Sequence, residues 1–61
     1  MTKEKIESFT YRLINESFKG DIEMAKEYAN EQIDTFQFIK IDRKMENFWT
    51  MVLSEMLKFN Y

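Results

Sequence analysis

Four acidic residues on one predicted helix are the clearest candidates for specific chemistry in this chain. Their spacing of four, four and three places them on a single helix face. This acidic stripe consists of Glu23, Glu27, Glu31 and Asp34. Like charges one turn apart destabilise a helix by about 0.2–0.5 kcal/mol per pair, and only Lys26 is nearby to offset them. The stripe is either a solvated face, partly neutralised by a neighbouring helix, or a partner-binding surface that mimics the charge ladder of a nucleic acid.

Metal binding and catalysis have few residues to recruit here. The chain contains no His and no Cys, whereas helical di-metal sites use Glu-x-x-His pairs. Histidine is the commonest general base of enzymes, and cysteine is a strong covalent nucleophile. We therefore expect no catalytic residue, no metal and no cofactor, and we predict that the protein is not an enzyme.

A second candidate surface lies on the predicted third helix. Residues spaced by three and four form a core stripe, roughly 100° wide, and are Met45, Phe48, Trp49, Val52, Met56 and Phe59. Three more apolar side chains lie outside this arc, so the apolar surface covers more than half of the helix. Tryptophan and methionine are enriched at interfaces, with tryptophan as an anchor. The predicted apolar partner-binding residues are Phe48, Trp49, Met51, Leu53 and Leu57; the alternative is that they are core.

A small basic cluster, consisting of Lys40, Arg43 and Lys44, is the third candidate. It is suited either to contact phosphates or to neutralise the acidic stripe. The net charge is −2, and nucleic-acid-binding domains normally carry a large positive charge. The third helix is also too apolar for a DNA-reading helix. We therefore expect no direct binding to nucleic acid.

The elements that position these residues are predicted to be three helices over residues 2–19, 21–39 and 42–60. Thr2, Asp21 and Asp42 are suitable N-caps. Lys19 falls in the last turn of the first helix, and Gly20 follows as a left-handed terminator. In the second helix, Ala25 and Ala29 permit close approach of a neighbour. The fold class is therefore all-α, a compact three-helix arrangement.

The connection between the second and third helices has alternative interpretations. The alternation in residues 35–41 is also typical of a short strand, although no second strand is available to pair with it. Since neither Pro nor Gly intervenes, the two helices could instead be continuous. We favour a break near residues 39–42, because the core stripe changes phase between Phe36 and Phe38. Ile41 would then precede the cap of the third helix as a hydrophobic staple.

The chain's 61 residues predict a single helical domain over residues 1–61. So small a core is marginal, and small domains usually add disulfides, a metal or a partner. Since the chain has no Cys for disulfides and no His for a typical metal site, the surplus apolar surface predicts a protein partner or a homodimer. Neither a secretory signal nor an apolar run of 18 residues is present, so we expect no membrane association and an intracellular location.

Two segments, KIESFTYRLINESFKGD (5–21) and YANEQIDTFQFIKIDRK (28–44), resemble small uncharacterised proteins encoded by temperate phages of staphylococci. The resemblance implies a product made in the cytoplasm of a bacterial host, where such proteins often bind and redirect a host protein. The principal hypothesis is a protein–protein interaction module that binds and modulates a host or phage protein, either as a monomer or as a homo-oligomer. The alternative is an acidic, nucleic-acid-mimicking inhibitor of a host DNA-binding protein.

Overall fold

Three α-helices pack against one another in a computed structural model of the protein, which describes residues 2–58. Helix α1 comprises Lys3–Arg12, α2 comprises Ile22–Asp34 and α3 comprises Arg43–Lys58. The described residues contain no strand, so the all-α, three-helix prediction is confirmed. The sequence predicts a third helix that ends at residue 60 and a core stripe that includes Phe59. Both predictions extend outside the described residues.

Each helix begins at a side chain that accepts a hydrogen bond from a free backbone amide. The Thr2 hydroxyl accepts from the amide of Lys5 at 3.3 Å, and the Asp21 carboxylate accepts from Met24 at 3.2 Å. The Asp42 carboxylate accepts from two amides, of Lys44 at 3.1 Å and of Met45 at 3.2 Å. The three predicted caps are therefore confirmed, because capping depends on chemistry within four residues.

Both α1 and α2 continue into a π-helical turn, Leu13–Ser17 and Thr35–Ile39 respectively. In the second of these turns the amide of Lys40 donates to the carbonyl of Thr35 at 2.7 Å. The backbone is therefore helical up to Ile39, and the strand interpretation is wrong. The helix stops before Asp42, so the continuous-helix interpretation is wrong as well.

The first connection contains two residues in the left-handed region. Gly20 has φ +88° and Lys19 has φ +52°. Glycine adopts this conformation without steric cost, which confirms its predicted role as a terminator. Lys19 lies in the turn rather than in the last helical turn, because the widened backbone ends the helix at Ser17.

The core lies where the three helices meet. Its fully or almost fully buried apolar residues are Ile6, Ile14, Ala25, Ala29, Trp49, Val52 and Met56. The α2–α3 interface is the most extensive, which is consistent with the close approach that Ala25 and Ala29 allow. Met45 was predicted to be core but is over one-third exposed, because it lies in the first turn of α3 at the edge of the bundle.

An aromatic cluster centred on Trp49 joins all three helices. The indole contacts Phe9 of α1, Tyr28 of α2 and Phe48 of α3, with ring centroids 5.8, 5.5 and 5.4 Å apart. All three contacts are edge-to-face, the favoured arrangement for aromatic pairs. The buried indole N–H has no hydrogen-bond acceptor within residues 2–58. Trp49 therefore contributes to the core through its apolar area and ring contacts.

Two polar residues in the core were not anticipated from the sequence. Thr10 is fully buried, and its hydroxyl donates to the carbonyl of Ile6 at 2.7 Å. Glu55 is also buried, but its carboxylate accepts a hydrogen bond from the Lys58 ammonium at 2.9 Å. In both cases a partner within one helical turn satisfies the polar atom, which removes most of the cost of burial.

Candidate functional site

The structure does not place Trp49 on a docking surface. Its side chain is only 7 % exposed and lies within the core of the protomer. The prediction that Trp49 anchors a partner is therefore wrong. The physical reason is that α1 and α2 each supply an aromatic ring, Phe9 and Tyr28, which cover the indole from two sides.

The other predicted apolar residues of α3 do not form one surface. Phe48 and Leu53 are half-buried and pack against the core. Met51 and Leu57 are 46 % and 57 % exposed. Since they are six positions apart, their side chains point roughly 120° apart around the helix. Met45, six positions before Met51, is also exposed, so the exposed apolar area of α3 consists of three separated side chains and not of one surface.

The largest concentration of exposed apolar side chains lies instead between α2 and α3. Phe38, Ile39 and Ile41, which we term the connector patch, are 71 %, 76 % and 80 % exposed. The predicted staple of Ile41 is not formed, because the position with which it would pair on α3 is the charged Glu46. Such exposure is unusual for three large apolar residues within four positions, and concentrations of exposed apolar residues mark interaction sites.

Phe38 and Ile39 of the connector patch belong to the π-helical turn Thr35–Ile39, and Ile41 lies in the connection that follows it. Phe36 lies near the start of this turn and is the last residue before α3 that packs against the core. A π turn is wider than the 3.6-residue α turn, so the following side chains no longer follow the core stripe of α2. In the sequence, the core stripe of the second helix changes phase between Phe36 and Phe38. This change predicted a break between the second and third helices but not an exposed surface.

The basic cluster overlaps the connector patch along the chain. Lys40 lies within it, and Arg43 and Lys44 follow in the first turn of α3; all three side chains are exposed. None of them forms an ion pair within residues 2–58, where the three ion pairs are Arg12–Glu16, Lys26–Glu23 and Lys58–Glu55. Exposed positive charges therefore lie both within the connector patch and directly after it in the chain.

The acidic stripe is exposed along its whole length on α2. Lys26 pairs with Glu23 at 3.3 Å, but Glu27, Glu31 and Asp34 form no ion pair with any described residue. Within residues 2–58, no basic residue of a neighbouring helix forms an ion pair with the stripe, although the solvated-face interpretation expected partial neutralisation. The stripe leads towards the connector patch, since Asp34 precedes Phe38 by about one turn.

Near the end of α3, Lys58 has a pKa above its ordinary value. The cause is Glu55, whose carboxylate accepts a hydrogen bond from the ammonium and attracts its charge. Because Lys58 is itself largely exposed, this pair holds the buried carboxylate of Glu55 in place but creates no enclosed site. It lies beside an open groove of about 260 Å³ between α1 and α3, lined by Lys3, Ile6, Met51, Ser54 and Glu55.

A further open groove, of about 440 Å³, follows the exposed side of α1, and its lining includes Lys5, Ser8 and Arg12. Residues 2–58 contain no group of three or more potential ligating side chains placed to hold one metal ion. Within the same residues, no helix is long and apolar enough to cross a membrane.

Comparison of the chain with protein-family models, with curated proteins and with solved structures gives no match.

Proposed function

We propose that this chain is a protein–protein interaction module that binds and modulates a host or phage protein inside a bacterial cell. The observation that carries the proposal is the connector patch, whose three large apolar side chains are each more than two-thirds exposed. Leaving them in water forgoes on the order of 1.5–3 kcal/mol of burial free energy per side chain. A partner that covers them recovers this free energy on binding.

The charges around the patch specify the chemistry of the partner. Lys40, Arg43 and Lys44 are exposed and without ion-pair partners in the described chain. Complementary charge at the rim of an interface speeds association and suppresses wrong partners. The proposed target therefore offers an apolar depression bordered by carboxylates. The resemblance to temperate-phage proteins supports a bacterial target.

A second candidate function is the acidic, nucleic-acid-mimicking inhibitor. The observation in its favour is that Glu27, Glu31 and Asp34 are exposed and are not neutralised by neighbouring helices. In this case the target is a DNA-binding protein, and its basic groove would contact the exposed face of α2.

Salt dependence separates the two candidates. The chain is tagged, its targets are captured from staphylococcal lysate and identified by mass spectrometry, and the affinity of each purified target is measured between 0.05 and 0.5 M NaCl. Apolar docking through the connector patch predicts a change of less than about tenfold, since only the rim charges are screened. Mimicry predicts a loss of about a hundredfold or more, together with failure of a Glu27→Gln, Glu31→Gln, Asp34→Asn variant to bind.

A further inference from the structure

Two open grooves between α1 and α3 adjoin each other. Their volumes are about 260 Å³ and about 310 Å³, and Ile6 and Met51 line both of them. The α3 residues that line them are spaced by three, one, three, three and one, which places them on a single helix face. Together with Lys3 and Ile6 of α1 they define what we term the α1–α3 groove, and they are Lys44, Asn47, Phe48, Met51, Ser54 and Glu55.

We propose that the α1–α3 groove binds an amphipathic helix of a second partner protein. This helix has apolar side chains along the face that enters the groove and a carboxylate near each end of that face. Its protein is not the target of the connector patch, so the inference goes beyond the proposed function. The chain therefore joins two proteins, one at each surface.

The length and direction of the groove suit a helix. Lys3 lines the groove together with Ser54, whereas Phe9 contacts Phe48 at a ring-centroid distance of 5.1 Å. The helices α1 and α3 are therefore antiparallel. The lining residues of α3 span eleven positions, which is about 16 Å or three helical turns. A partner helix of three turns fits alongside both helices, as in a four-helix bundle.

The middle of the groove is apolar. Ile6 is almost fully buried and Phe48 is half-buried against the core, whereas Met51 is 46 % exposed. A methionine side chain is unbranched and polarizable, so it adapts to the shape of a binding partner. A helix with apolar anchors spaced by three and four residues covers Met51 and the exposed part of Phe48, which is the usual mode of binding a helix in a groove.

Charge complementarity determines the polar residues of the occupant. Lys3 lines one groove and Lys44 the other, and both are exposed and form no ion pair within residues 2–58. Glu55 is the only carboxylate among the lining residues, and it is buried and accepts a hydrogen bond from Lys58. Glu7 of α1 attracts the same ammonium. The two charges without an ion-pair partner are thus positive, and a partner carboxylate near each end complements them.

Selection of peptides from a random library tests the proposal. Displayed peptides of about 16 residues, long enough for three turns and both ends, are selected on the wild-type chain. They are then counter-selected on an Asn47→Glu, Ser54→Glu variant, in which two new carboxylates lie in the middle of the groove. The retained peptides are expected to carry apolar residues spaced by three and four and acidic residues near both ends. Circular dichroism is expected to show that a synthetic copy becomes helical on binding.

Matched pairs of charge reversals locate the peptide. A Lys3→Glu, Lys44→Glu variant is expected to bind the synthetic peptide at least about thirtyfold more weakly, because both end contacts become repulsive. A Lys5→Glu, Lys19→Glu variant changes the net charge equally outside the groove and is expected to bind within about threefold of the wild type. The same is expected of a variant with all three connector-patch residues replaced by serine. Urea denaturation verifies that each variant is folded.

Four results would overturn the inference. These are a selection that retains no peptide, retained peptides that are basic, equal weakening by the two pairs of lysine reversals, and loss of binding in the serine variant, which would place the peptide on the connector patch. Capture of a target through the connector patch with no peptide retained would leave the proposed function intact. Acidic peptides bound in the groove without any captured target would retain this inference alone.

Discussion

Replacing Met56 by alanine is expected to lower the free energy of unfolding by about 3 kcal/mol, whereas the same substitution at Met51 lowers it by less than about 1 kcal/mol. Met56 is completely buried and Met51 is nearly half exposed, although both lie on α3. Removing the buried side chain leaves a cavity in the centre of the bundle. Removing the exposed one gives up little apolar area.

The expected loss at Met56 is large for so small a protein. Stabilities of about 0.05–0.15 kcal/mol per residue correspond to roughly 3–9 kcal/mol for this chain. Met56→Ala therefore removes between about one-third and all of the free energy of unfolding. Urea denaturation followed by far-UV circular dichroism measures both variants. Equal losses would contradict the packing of α3, in which Met56 is buried and Met51 is exposed.

The second large effect is expected on partner binding when the connector patch is made polar. A variant with Phe38→Ser, Ile39→Ser and Ile41→Ser should bind the target at least about a hundredfold more weakly, because apolar anchors each contribute on the order of 1–2 kcal/mol. Its free energy of unfolding should change by less than about 1 kcal/mol, since these side chains make few contacts within the protomer. Calorimetry with the captured target and urea denaturation measure the two quantities.

A matched control is provided by three exposed apolar residues outside the patch. Met24, Met51 and Leu57 are each roughly half exposed, and their simultaneous replacement by serine removes a similar number of apolar side chains. We expect this control variant to bind the target within about threefold of the wild type. Loss of binding in the control with retention in the patch variant would place the docking surface among Met24, Met51 and Leu57 instead of at the connector patch.

The start of each helix could be predicted from the sequence because the signal is local. Asp21 and Asp42 accept hydrogen bonds from amides two or three residues ahead, and Gly20 takes the left-handed conformation that few other residues tolerate. Such interactions depend on the neighbouring residues alone. The all-α fold class followed from the same features and from the apolar periodicity.

The candidate site was less predictable because exposure depends on where the helices cross. The periodicity of α3 correctly identified an apolar face, but it could not show that Phe9 and Tyr28 would cover Trp49. Helical periodicity also assumes 3.6 residues per turn. The π-helical turn Thr35–Ile39 departs from that value, so Phe38 and Ile39 could not be assigned to a face before the structure was known.

Hydroxyl-radical footprinting of the chain with and without its captured target tests the connector patch most directly. Phe38 is expected to become at least about fivefold less reactive in the complex, with protection at Ile39 and Ile41 as well. The exposed Met24 and Met51 serve as internal references, and their oxidation rates are expected to stay within about 30 % of those of the free chain. Unchanged reactivity at Phe38, together with protection of Met51, would contradict the assignment of this patch as the docking surface.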